Sequence, residues 1–126
     1  MRRTIHSDGN AGVLGPYSHG ATDGSIVFTA GQIPVTPEGN VLADEPIDVQ
    51  TDQSLENVER ILAEVDCDLD DVLKVTVYLT DVDDFEAMNA VYREYFGDDP
   101  PARTAVEVAR LADDADIEVE VVASQG

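Results

Sequence analysis

The fold class predicted here is α+β, a mixed sheet with two helices packed on one face, and three observations predict it. Residues 25–30, 73–79, 103–109 and 117–123 read as strands, the last three with apolar and polar positions alternating. Between them lie two runs whose apolar residues recur at spacings of three and four, the period of a helix buried on one side. The order of elements is strands, helix, strand, helix, strand, strand, which suits helices layered on a sheet. A length of 126 residues with 43% hydrophobic content fits one domain, residues 1–126, large enough to bury its own core.

Each element has its local reason. Glycines crowd the first quarter of the chain, so residues up to Asp23-Gly24 read as loop, short strand and turn before the strand at 25–30. Gly31-Gln32-Ile33-Pro34 ends that strand, and Thr36-Pro37-Glu38-Gly39-Asn40 is a turn. Over residues 48–65, Leu55, Val58, Ile61, Leu62 and Val65 form one stripe, with Glu56, Glu59 and Glu64 off it. In the strand at 73–79, Val75, Val77 and Leu79 alternate with Lys74, Thr76 and Tyr78. Asp83, three residues before Glu86, has the form of a capping box. The helix it opens carries Phe85, Met88, Val91, Tyr92, Tyr95 and Phe96 on one face and stops at Gly97. Two further strands follow Pro100-Pro101, separated by an acidic turn at Asp113-Asp114. Two helices cover only one face of such a sheet, so the other face favours oligomerisation.

Charge narrows the function. There are 27 acids against 7 bases, a net charge of −20, and Lys74 is the only lysine. Such a surface repels phosphate backbones and anionic lipid heads, which argues against nucleic-acid and membrane partners. The acid excess suits a halophilic cytoplasm; no run approaches the length of a membrane helix, and residues 1–8 lack the apolar stretch of a secretory signal. The single cysteine, Cys67, lies between Asp66 and Asp68, whose charges disfavour its thiolate. His6 and His19 are far from Cys67 in sequence and read as surface or structural imidazoles. The glycines match no phosphate loop or dinucleotide fingerprint, and no metal ligands stand at productive spacing, so neither cofactor nor metal is expected.

A few residues stand in unusual places. Arg103, one of six arginines, opens a strand directly after Pro100-Pro101-Ala102, and the prolines hold the entry of that strand. A guanidinium grips a carboxylate with two parallel hydrogen bonds, which lysine does not copy. Ala105, Glu107 and Ala109 share the Arg103 face by alternation, and the small Ala105 leaves room beside it. Glu118 sits mid-strand with Glu120 on the same face; by spacing alone, both read as lining the solvent face of an edge strand.

The run Pro101-Ala102-Arg103-Thr104-Ala105-Val106-Glu107-Val108-Ala109-Arg110-Leu111, followed by Ile117-Glu118-Val119, resembles the signature of the RidA (YjgF) family. Gly15-Pro16-Tyr17-Ser18, Thr29-Ala30-Gly31-Gln32-Ile33-Pro34 and Asp84-Phe85-Glu86-Ala87-Met88-Asn89 are similar to its other blocks, in the same order. The resemblance spans essentially the whole chain. It implies a chorismate-mutase-like fold, a homotrimer with sites in clefts between subunits, and hydrolysis of reactive 2-imino acids to 2-keto acids and ammonia without metal or cofactor. The substrates it implies are 2-aminoacrylate, 2-iminopropanoate and 2-iminobutanoate. It places Arg103 on the substrate carboxylate, with the Gly31 N–H beside it and Tyr17 and Asn89 in the cleft. Glu118 falls where a glutamate positions or activates water. Ala30 and Ala105 depart from the pattern, standing where serine and cysteine are frequent, and make the pocket less polar. A non-catalytic binding module for small carboxylates and a chaperone-like interaction protein are the competing readings.

Overall fold

The computed structural model describes residues 1–125. Strands β1 (Arg3–Ile5), β2 (Gly20–Thr22) and β3 (Ile26–Thr29) precede helix α1 (Ile47–Ala63). Then come β4 (Val72–Leu79), helix α2 (Phe85–Phe96), β5 (Ala102–Glu107) and β6 (Ile117–Ser124). The strands form one six-stranded sheet in the order β1-β2-β3-β6-β4-β5. β4 and β5 are parallel, and every other pairing is antiparallel. Parallel neighbours need a crossover, and α2 supplies it between β4 and β5. α1 likewise carries the chain from β3 over β6 to β4. The shared handedness of such crossovers puts both helices on one face.

That face is the core. Leu55, Val58, Ile61 and Leu62 of α1 pack against Val75, Val77, Leu79, Ile117, Val119 and Val121 of the two central strands, all buried. The opposite face carries no helix. Register places Phe28 beside Val122, Tyr78 between Val106 and Glu118, and Thr76 beside Glu120 on it. Phe28 remains 55% exposed and Val106 39%.

Two local expectations are corrected, and a third, the disfavoured thiolate of Cys67, holds with a further cause. Glu118 and Glu120 do lie on the helix-free face, but β6 is a central strand between β3 and β4; the edges are β1 and β5. Asp83 is not the cap of α2. Asp81 accepts from the Asp83 N–H and opens a short 3₁₀ turn, Val82–Asp84, that runs into the helix. Cys67 is buried, and burial pushes its thiol up first, with Asp71, Asp68 and Asp66 adding to it.

α1 also carries buried polar residues beside its apolar stripe, and these position the loops. The Gln50 amide donates to the carbonyls of Ala43 and Glu45 and to Asp116 Oδ2 at 2.9 Å, and its oxygen accepts from the Asp116 N–H. Asp116 immediately precedes β6. Asn57 Nδ2 donates to the carbonyls of Ile33 and Val35, holding the segment after β3 against the helix. Buried polar groups of this kind stabilise only while paired. Gln50→Leu leaves the Asp116 N–H and two carbonyls without partners, and is expected to lower stability by about 2–3 kcal/mol in urea denaturation at fixed protein concentration.

Candidate active site

Two groups of side chains stand out, one on each face of the sheet. The first is built by α2 and β5. Gly97 ends α2 with a φ of 70°, a left-handed conformation that suits glycine, and Pro100-Pro101 then lead the chain into β5. Arg103 pairs with Val75 in the parallel ladder and so points toward the helices. Its Nη1 donates to Asn89 Oδ1 at 2.7 Å and lies 3.9 Å from Met88 Sδ. Its Cζ sits 4.7 Å from the centre of the Tyr92 ring. Arg103, Asn89, Tyr92 and Pro101 border a cleft of about 310 Å³.

Every one of these partners is neutral. Burial pushes the Tyr92 phenol above its ordinary range, although Arg103 pulls it back, so it brings no negative charge. Among the described residues the one ion pair joins Arg60 to Glu56 on α1. Arg103 therefore carries an unpaired charge in a chain of 27 acids. Nε and Nη2 have no hydrogen-bond partner among the described residues, which leaves an edge of the guanidinium able to take a planar anion. Ala105 shares this face two residues along β5, paired with Val77 and packed against the core.

The second group surrounds Glu118. Gln32 bridges to Val119 in both directions, N–H to carbonyl at 2.8 and 3.1 Å, so the chain after β3 runs alongside β6. Gly31 is thereby pressed onto Glu118: a Cβ at Gly31 would lie 1.8 Å from Glu118 Oε2 and 2.7 Å from its Cδ. Only glycine lets the carboxyl occupy that place. Gly31 and Tyr17 line a second cleft of about 730 Å³ together with Leu14 and Ile33, and Tyr17 is 51% exposed there. His19 is a latch for this region: Nδ1 accepts from the Ser7 N–H, Nε2 donates to the Ala11 carbonyl, and its own carbonyl accepts from the Ala30 N–H.

Half-burial pushes the Glu118 carboxyl above the usual carboxylate range, and the nearby charge of Glu120 raises it further. Glu120 in turn accepts from the Tyr78 hydroxyl at 2.5 Å. Because β6 pairs Glu118 with Tyr78 while β5 pairs Arg103 with Val75, Glu118 and Arg103 point to opposite faces. One chain brings Arg103 to Asn89, and Gly31 to both Glu118 and Tyr17. It does not bring the first group to the second. Among the described residues no three His, Cys, Asp or Glu side chains are grouped to hold a metal ion.

A family model described as Endoribonuclease L-PSP matches residues 9–125. The chain belongs to this L-PSP (YjgF/RidA) family. A RutC family protein of Pyrococcus abyssi is 50% identical over 87% of each chain. The 2-iminobutanoate/2-iminopropanoate deaminase of Salmonella typhimurium is 40% identical over 98% of each. Among solved structures of the family, E. coli TdcF with bound serine superposes with a TM-score of 0.93 at 38% identity, covering 98% of this chain and 99% of that one. The E. coli YjgF gene product gives 0.92 at 39%, with the same coverage. The six-stranded mixed sheet with two helices is thus the YjgF/RidA fold, and the names of relatives support a deaminase role at the level of the family. No helix among the described residues is long and apolar enough to cross a membrane.

Sequence reading placed Tyr92 only in an apolar stripe and missed that its ring lies under Arg103. The signal was present: Asn89 and Tyr92, three apart on a helix, share the side that meets Arg103. Tyr78 on Glu120 was also missed, because strand alternation shows the shared face but not the register between strands.

Glu118 also bears on stability. Its folded-state pKa is raised, so the native state holds a proton that the unfolded chain has released, and stability falls as pH rises from the ordinary glutamate range through the raised value. Glu118→Gln is expected to melt at a higher temperature than the parent at pH 7, with the gap closing by about pH 3, where the parent carboxyl is protonated in both states. Melts followed by circular dichroism across this range check it.

Proposed function

We propose that the protein hydrolyses small 2-imino acids, the tautomers of enamines such as 2-aminoacrylate, to 2-keto acids and ammonia. The substrates are 2-iminopropanoate, 2-iminobutanoate and related short imino acids. The observation that carries this reading is the unpaired guanidinium of Arg103, held by neutral partners at the mouth of a cleft in a strongly acidic chain. A cation held by neutral partners, with no carboxylate paired to it among the described residues, suits a carboxylate brought by a ligand. The bound serine of TdcF, itself a small α-carboxylate, accords with it.

The remaining roles follow from the chemistry. A protonated imine carbon is already electrophilic, so catalysis needs orientation, a placed water and proton transfers. Arg103 docks the carboxylate, Asn89 braces Arg103, and the reacting carbon is held at one spot, an effect that lowers barriers by several kcal/mol. Glu118 takes a proton from water as its oxygen bonds to C2, returns it to nitrogen as the C–N bond of the carbinolamine breaks and ammonia leaves, and then accepts the hydroxyl proton as C2=O forms, passing it to the departing ammonia. A carboxyl with a raised pKa is the stronger base, and such a role contributes about 10²–10⁴-fold. The Gly31 backbone N–H and Tyr17 border the same space, and Ala105 leaves room for the substrate side chain.

Since Arg103 and Glu118 lie on opposite faces, the complete site forms where two copies of this single domain meet, in a homotrimer that also covers the exposed sheet face around Phe28 and Val106. The setting is a cytoplasm, with high salt screening the acid excess. Ribonuclease chemistry, named in the family description, is disfavoured by a net charge of −20, which opposes phosphate approach.

Added to an imine-generating amino acid oxidase or dehydratase reaction, the protein should speed keto-acid appearance. Arg103→Ala is expected to abolish that acceleration, and an Arg103→Ala protein as active as the parent would contradict the mechanism. Glu118→Gln should lower kcat by about 10²–10⁴-fold while leaving binding of 2-oxobutanoate within about threefold; an equal loss of binding would make Glu118 architectural instead.

A further inference from the structure

We infer that Tyr92 is a positioning residue for the substrate carboxylate, acting through Arg103 as the platform that sets where its guanidinium lies. This rests on the reading of Arg103 given above and extends it to a residue that touches no substrate.

Tyr92 is 6% exposed and projects from α2 beneath the exposed Arg103 side chain. Its hydroxyl has no hydrogen-bond partner among the described residues. A buried, unpaired phenol is an unfavourable way to fill a core position, where Leu or Phe packs without that penalty. The hydroxyl anchors nothing, so the contact that distinguishes Tyr92 from an aliphatic residue is the ring face turned to a cation, with Cζ 4.7 Å from its centre.

An arginine on an edge strand otherwise ranges over many rotamers, and ordering it at the moment of binding weakens affinity. Here two contacts at different points restrict it. Asn89 Oδ1 takes Nη1, and the Tyr92 ring bears on the guanidinium carbon, so rotation about the Asn89 hydrogen bond is blocked. What remains is a guanidinium whose Nε and Nη2 have no hydrogen-bond partner among the described residues. The platform does this without a carboxylate: an acid in place of Tyr92 would hold Arg103 as firmly but neutralise it and compete with the substrate. An aromatic face attracts the cation while leaving its charge for the ligand.

The test compares the parent with Tyr92→Leu, Tyr92→Phe and Arg103→Ala. Each is titrated with 2-oxobutanoate by calorimetry and assayed on 2-iminobutanoate formed in situ by an amino acid oxidase, at one ionic strength. Tyr92→Leu is expected to raise both the Kd for 2-oxobutanoate and KM by about 3- to 30-fold, with kcat changed less than about threefold. Tyr92→Phe, which keeps the ring and removes the unpaired hydroxyl, should restore both constants and melt no lower than the parent. If Arg103→Ala binds 2-oxobutanoate like the parent, the carboxylate-docking reading itself fails. If Arg103→Ala loses binding but Tyr92→Leu keeps the parent's Kd and KM, only the platform is overturned. Should Tyr92→Leu not fold, the NMR shifts of the Arg103 δ protons in the parent and in Tyr92→Phe decide: upfield ring-current shifts support the platform, and random-coil values overturn it.

Discussion

A positive charge surrounded by neutral groups organises this structure. In a chain with 27 acids and 7 bases, Arg103 is held by an amide oxygen, a thioether and an aromatic ring. Its place in the parallel ladder turns it toward α2, and α2 presents Met88, Asn89 and Tyr92 there rather than an acid. An arginine neutralised within its own fold has little left to offer a ligand; one held by neutral groups keeps its field. The acid excess then sharpens selectivity, because an anion gains from approach only where that field is concentrated.

Strand alternation imposes the second constraint. Glu118 and Arg103 come from strands on either side of β4 but from opposite phases of the pleat, so no side-chain motion within one chain unites them. The glutamate belongs instead with Gly31, whose missing side chain is the space the carboxyl occupies. α1 holds both ends of that arrangement, with Gln50 fixing the residue before β6 and Asn57 fixing the loop after Gly31. Chemistry that needs a cationic dock and a basic carboxyl together must therefore recruit the two from different copies, and the proposed trimer would bury the apolar half of the open sheet face as well.

Much of this was legible before any coordinates. The apolar stripe of Leu55, Val58, Ile61 and Leu62 and the alternation of Val75, Val77 and Leu79 located helix, strand and core, because burial imposes those periods. Arg103 stood out because prolines precede it and cations are scarce. Long-range pairing was not legible: nothing local says that the last strand inserts between β3 and β4, which is why Glu118 read as an edge residue. Asp83 with Glu86 fits the capping-box motif, but Asp81 takes the capping bond and opens a 3₁₀ turn ahead of α2, which the motif alone does not show. The Tyr92 platform was hidden inside a stripe in which every aromatic looks like core.

The most direct measurement is a crystal structure of the protein soaked with 2-oxobutanoate. The account predicts a homotrimer with the ligand carboxylate on the Nε and Nη2 edge of Arg103, the Tyr92 ring still beneath the guanidinium, and Glu118 of the neighbouring copy facing the ligand's C2. An Arg103 paired instead with an acid of a neighbouring copy, with no ligand before it, would contradict it.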